Sequence, residues 1–193
     1  MELVLALCLG IGLSAGCGFR VFVPLLGMNV AALAGHLDLG PGFEWIGTWP
    51  AFACFLTATV LEIGAYYIPW LDNLLDAVAT PAAIVAGTIA TAAALGQVEN
   101  VSPLVEWSLA LIAGGGTAAV VQTSTVALRG ASTATTGGLA NFVVSTGELI
   151  ASVGATILAL VLPILCATLV LISAFLAMRW LTRRQPALAT QKP

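Results

Sequence analysis

Seven stretches of the chain run almost free of charge, and most approach the length that crosses a bilayer as a helix. They are 3–17, 21–35, 49–70, 81–96, 107–128, 142–161 and 165–180. A hydrocarbon core about 30 Å thick needs roughly 17–25 apolar residues in a helix rising 1.5 Å per residue. Such a chain cannot cover a surface facing water. Of its 193 residues 60% are hydrophobic and 8% charged, against about 25% charged in a soluble domain. A water-soluble enzyme is excluded on those grounds. Six basic residues at a net charge of −3 also leave no patch for nucleic acid. The expected class is all-α, a polytopic transmembrane helix bundle.

The segment count rests on two junctions. Between the first two runs lies only Gly16-Cys17-Gly18-Phe19-Arg20, which allows one kinked helix, a re-entrant hairpin or two short spans. The last two runs meet at Pro163. Merged, they would form a helix of roughly 58 Å, about twice the core, so two spans are expected and six or seven crossings in all. With seven, an external N-terminus places Arg20, Arg129, Arg179, Arg183, Arg184 and Lys192 on one side. That side is cytoplasmic by the positive-inside rule. Asp38, Glu44, Glu99 and Glu106 then fall outside. The N-terminus shows neither the basic start nor the small-residue cleavage site of a secretory signal, so the first segment reads as retained. Residues 1–184 are expected to form one transmembrane domain and 185–193 a short disordered cytoplasmic tail. A faint repeat pairs Phe22-Val23-Pro24-Leu25-Leu26-Gly27 with Phe142-Val143-Val144-Ser145-Thr146-Gly147, and transporter folds often carry such repeats.

Chemistry is expected where ionisable residues interrupt the runs, because a charge at membrane depth costs on the order of 2.5–3.5 kcal/mol. Glu62 stands in Val60-Leu61-Glu62-Ile63-Gly64, two turns before Pro69 and Trp70. A cavity-facing functional carboxylate competes there with a structural or interfacial one. Glu148 follows the most polar stretch of the chain, Ser132-Thr133-Ala134-Thr135-Thr136-Gly137-Gly138-Leu139-Ala140-Asn141. Hydroxyls and glycines beside a helix start offer unpaired N–H groups that can hold an anion. An ordinary loop capped by Asn141 explains the hydroxyls but not the glutamate. Asp72, Asn73 and Asp76 form a third group. Asp72 and Asp76 share a helix face and repel unless a cation or an arginine lies between them. Oxygen ligands of that kind suit a hard cation, and a solvated, capping turn is the competing account.

Other features carry less. Gly12 and Gly16 have the spacing of a packing or dimer seam, as does the Gly114-Gly115-Gly116 run in kind. Cys8, Cys17, Cys54 and Cys166 lie in apolar runs without metal-ligand spacing, so they read as buried hydrophobes. No Ser-His-Asp, HExxH or CxxC arrangement points to an enzyme, and no cofactor is implied.

Taken together, Gly18-Phe19-Arg20, Glu62…Pro69…Asp72-Asn73…Asp76…Thr80-Pro81, Gly114-Gly115-Gly116, Leu128-Arg129-Gly130 and Thr135-Thr136-Gly137-Gly138…Asn141…Glu148 resemble a bacterial membrane family. It is catalogued as domain of unknown function 4126. The resemblance spans nearly the whole chain and implies a small polytopic protein of the bacterial inner membrane, without naming a substrate. The sequence expectation is a transporter or channel-like permease. Arg20 and Arg129 would neutralise Glu62, Glu148 and Asp72 or Asp76 in one cavity, with Asn73, Thr135, Thr136 and Asn141 beside it, and the pairs expected are Arg129 with Glu148 or Arg20 with Glu62. Two positive and four negative charges favour a cation or proton as coupling ion. The alternative is a scaffold that binds lipid or a partner helix, or pairs with itself along the glycine faces.

Overall fold

The computed structural model describes residues 2–184 and is helical throughout its ordered elements. The expected tail, 185–193, lies outside the described residues. In chain order the helices are α1 (Leu3–Phe19), α2 (Phe22–Leu33), α3 (Trp49–Ala65), α4 (Pro69–Leu95), α5 (Pro103–Leu109), α6 (Gly116–Thr136), α7 (Asn141–Val161) and α8 (Pro163–Arg184). A π-helical turn, Ala110–Gly115, joins α5 to α6, making one rod of 34 residues. Three stretches are long and apolar enough to cross a membrane: Leu75–Leu95, Pro103–Thr136 and Asn141–Val161. The remaining apolar helices are shorter.

Both doubtful junctions are breaks. Arg20 is extended, with φ −144° and ψ 122°, and separates α1 from α2. Leu162 leaves the helical region just before Pro163, and the residue before a proline is biased away from helix. The boundaries of the middle segments moved. The helix starting at Trp49 stops at Ala65, and the next begins at Pro69 and runs straight through Pro81. Proline removes one N–H from the ladder. The N–H missing at Pro81 leaves the Ala77 carbonyl without its helical donor, and one residue earlier the Thr80 hydroxyl donates to the Asp76 carbonyl at 3.4 Å.

α1 is the axis of the bundle. Residues 9–18 are all buried, and the helix packs against α4, α6, α7 and α8. Its glycines make this possible. A Cβ on Gly10 would lie 2.9 Å from the Thr91 Cα, and one on Gly12 would lie 2.7 Å from the Ala159 Cβ. Backbone therefore meets backbone along the helix, and Ser14 Oγ donates to the Gly87 carbonyl at 2.8 Å. These close approaches lie within the chain. The seam expected from Gly12 and Gly16 is internal packing, and the α1 glycines present no free face to a second copy.

Neighbour contacts fix the directions. Gly16 of α1 lies against Pro24 and Thr156, and Gly12 against Ala159, so α1 is antiparallel to α7. Gly27 lies against Thr156 and α2 runs alongside α7 in the same sense. The loop after α2 turns at the far end, where Asn29 Nδ2 donates to the Thr48 carbonyl at 3.0 Å and Gly40 touches Gly96. The two stretches aligned as a repeat open α2 and α7, which pack together, but their surroundings differ. α1 lies against α7 and α8, whereas α6 lies mainly on α1 and α4. One end of the bundle thus gathers the C-terminal ends of α1, α3, α6 and α8 with the N-terminal ends of α2, α4 and α7.

Candidate functional site

The gathered end holds the buried charge. α7 supplies a stripe, Ser145, Glu148, Ser152 and Thr156, all buried and spaced three or four apart, as one helix face requires. Ser152 Oγ donates to the Gly16 carbonyl at 2.9 Å, and Thr156 Oγ1 to the Ser152 carbonyl at 2.7 Å. Glu148 is 4% exposed and cannot be satisfied by water, so it needs cationic neighbours.

Two arginines provide them. On α6, Gln122, Thr125 and Arg129 form the buried face. Arg129 grips Glu148 with two nitrogens, Nε to Oε1 at 3.0 Å and Nη2 to Oε2 at 2.9 Å. Its Nη1 donates to Asp76 Oδ1 on α4. Such a fork matches carboxylate geometry, as lysine would not. Arg20, set at the α1–α2 break, places Nη2 3.4 Å from Glu148 Oε2 and donates from it to the Ser145 carbonyl at 2.9 Å. Both guanidinium carbons lie over the Tyr66 ring, Arg20 at 3.8 Å and Arg129 at 4.3 Å from its centroid. Stacking of this kind contributes on the order of 0.5–2 kcal/mol.

Glu62 does something different. Its Oε1 accepts from the Val21 N–H at 2.7 Å and its Oε2 from the Phe22 N–H at 3.1 Å. It caps the open N-terminus of α2 from a neighbouring helix, where free N–H groups and the positive dipole end favour an anion. The expected Arg20–Glu62 pair is replaced by Arg20–Glu148, because the α2 N–H groups take both Glu62 oxygens.

The structure therefore joins Arg20, Asp76, Arg129 and Glu148 directly, with Glu62 beside them. It does not join the hydroxyl-rich stretch. Thr135 and Thr136 are exposed, and their hydroxyls donate back to the Ala131 and Ser132 carbonyls at 2.9 and 2.8 Å. Helical threonine commonly does this, and it removes both from the site. Asn141 is half-buried and donates to Thr133 Oγ1 at 3.0 Å. Gly137 and Gly138 end α6 with φ of 63° and 89°, a left-handed termination that glycine permits. The side chains of Asp72 and Asn73 lie outside the described residues. Of the two accounts of Asp76, the arginine partner holds. Among the described residues no group of three His, Cys, Asp or Glu could hold a metal ion.

Sequence reasoning passed over Tyr66, whose signal was present. Thr59, Glu62 and Tyr66 are the polar members of one helix face and all are buried. It also passed over Ser145, Ser152 and Gln122, which continue the faces of Glu148 and Arg129.

The site is left with surplus donors. Arg20 Nε and Nη1, Gln122 Nε2 and Ser145 Oγ are buried without a hydrogen-bond partner. Each such group costs about 1–3 kcal/mol. Beside the cluster, α2, α3 and α4 splay around a cavity of about 450 Å³. Its wall is apolar except for Glu62 and Tyr66. A second apolar groove of about 370 Å³ separates α2 from α7.

No curated protein and no solved structure matches the chain. Residues 7–183 match the family described as domain of unknown function DUF4126. With that match over nearly its whole length, the chain belongs to the DUF4126 family.

Proposed function

We propose that the protein is a small multi-pass permease of the bacterial inner membrane, with proton coupling at Glu148. One observation carries this reading: a protonatable carboxylate, 4% exposed, is clamped between two buried guanidiniums where a broken helix meets four others. Ionisable groups inside apolar bundles mark ion and proton pathways, and interrupted helices frame transporter sites. Protonation of Glu148 would release Arg129 and Arg20 together, which gives one proton a large structural consequence. On this reading the C-terminus is cytoplasmic, supported by Arg179, Arg183 and Arg184 lying toward the end that holds Arg20 and Arg129.

Reconstitution into sealed vesicles loaded with a pH-sensitive dye tests the reading. A potassium gradient with valinomycin supplies the driving potential while solutes are added in turn. Protein-dependent proton movement that Glu148→Gln abolishes supports it. Vesicles as proton-tight as protein-free ones, with every solute class, refute it.

The cavity between α2, α3 and α4 favours a second reading. An apolar cleft with a polar floor also suits a protein that holds a lipid without moving it, and co-purification of one lipid species with no flux would select that account.

A further inference from the structure

Among the described residues every carboxylate of the charged cluster already has a cationic or N–H neighbour, Glu148 Oε2 through ion-pair contacts alone, while nitrogens of Arg20 have no acceptor. Glu62 has two N–H groups, Asp76 has Arg129, and Glu148 has both arginines. Among the described residues a cation would find no carboxylate to spare. Arg20, by contrast, is 2% exposed and keeps Nε and Nη1 without an acceptor, next to the unpartnered hydroxyl of Ser145. Two guanidiniums converging on one carboxylate form an anion site, and Glu148 fills it as a tethered occupant.

The cleft beside that site is apolar apart from Glu62 and Tyr66. Val21, Phe22, Leu75, Ala79 and Tyr66 line the cleft between α2, α3 and α4. The same Tyr66 ring lies under both guanidiniums. A ligand passing Tyr66 would bring its charged end to the arginines and leave its body among aliphatic side chains.

We propose that the site takes the carboxylate of an aliphatic monocarboxylic acid, which replaces the Glu148 carboxylate on Arg20 and Arg129. The proposal rests on the permease reading in treating Glu148 as exchangeable. In the exchange one proton passes from water to Glu148, and one carboxylate takes its place on the guanidiniums. No covalent bond between heavy atoms changes. Arg20 and Arg129 face Asp76, Glu62 and Glu148, and with the bound carboxylate counted the total charge is the same before and after. The groups acting on Glu148 are Arg129 from α6, Arg20 from the α1–α2 break and Asp76 from α4. Tyr66 and Glu62 flank them from α3, and α8 adds the exposed Arg179 near that end. Binding therefore strengthens as pH falls, so long as the ligand stays ionised.

Hexanoate added to the purified full chain in weakly buffered detergent tests this. The expected result is uptake of about one proton per hexanoate bound. Glu148→Gln removes the internal competitor and should bind hexanoate about tenfold more tightly with no proton uptake, while Arg20→Gln should bind at least tenfold more weakly. The wild-type proton count stands even if a variant does not fold. Binding without proton uptake, no binding, preference for hexylammonium, or equal affinity for inorganic phosphate would each overturn the proposal. With hexanoate bound, saturation by butyrate as well assigns an aqueous source and saturation by decanoate but not butyrate a bilayer source, and either upholds the exchange. If the proton count holds but sealed vesicles pass neither species, the exchange stands and the permease reading fails. If vesicles pass protons and hexanoate does not bind, the reverse is true.

Discussion

Replacing Arg129 by glutamine should be the most damaging single change in the charged cluster. It takes from Glu148 both of its close contacts, at 3.0 and 2.9 Å, and leaves only Arg20 at 3.4 Å. It also strips Asp76 of Nη1. Removing one partner of a buried ion pair costs roughly 3–5 kcal/mol, and with two carboxylates affected Arg129→Gln belongs at the upper end. Glu148→Gln is milder. Its amide oxygen can still accept from Arg129 Nε, while Arg129 keeps Asp76 and Tyr66, and Arg20 keeps the Ser145 carbonyl and Tyr66. A loss of about 1.5–3 kcal/mol follows from hydrogen bonds to charged groups. In the double variant the stranded glutamate is gone and only Asp76 has lost its contact with Arg129. The sum of the single effects should therefore exceed the double effect by about 2 kcal/mol. Unfolding in mixed micelles, followed by the fluorescence of the five tryptophans, reads all three. Additivity within about 0.5 kcal/mol, the behaviour of uncoupled sites, would refute the clamp.

Other outcomes follow from the same geometry. Arg20→Gln and Glu62→Gln should couple less strongly than Arg129→Gln and Glu148→Gln, because both Glu62 oxygens accept from the α2 N–H groups; coupling as strong as in that cycle would restore the Arg20–Glu62 pair. Gly10→Val should destabilise the purified protein by more than 3 kcal/mol, the scale of severe overpacking, because its side chain would enter Thr91; an unchanged melting temperature would contradict the α1–α4 contact. In a background without native cysteines, Thr136→Cys should react with a bulky impermeant thiol reagent and Glu148→Cys should not, and equal reactivity would show the cluster to be open. A reporter that fluoresces only in the cytoplasm, fused after Pro193, should be bright. A dark, externally labelled fusion would invert the layout.

Much of the bundle was legible because lipid-facing helices announce themselves by apolar length, and the breaks at Arg20 and Pro163 were visible as residues. The start of α4 was not, since Pro81 usually reads as a boundary and the structure carries the helix through it. Arg20, Arg129 and Glu148 were legible as charges with nowhere else to go. The Arg129–Glu148 pair was legible too, but the partner of Arg20 was not, because the donors that decided it are backbone groups. The open N–H groups of Val21 and Phe22 claim Glu62, and no side-chain letter records them. Thr135 and Thr136 misled for a similar reason: a hydroxyl in a helix can satisfy itself on the preceding turn. Tyr66 escaped because an aromatic residue within an apolar run reads as packing, although its register with Thr59 and Glu62 marked a shared polar face.

The central claim is that Glu148 exchanges between an arginine-bound carboxylate and a protonated carboxyl group. Infrared difference spectra of the membrane-reconstituted protein, recorded across a pH titration, observe that event directly through the carbonyl stretch of a protonated carboxyl. A band that grows as pH falls and is missing from Glu148→Gln is the predicted result. Identical difference spectra for wild type and Glu148→Gln at every pH would contradict it.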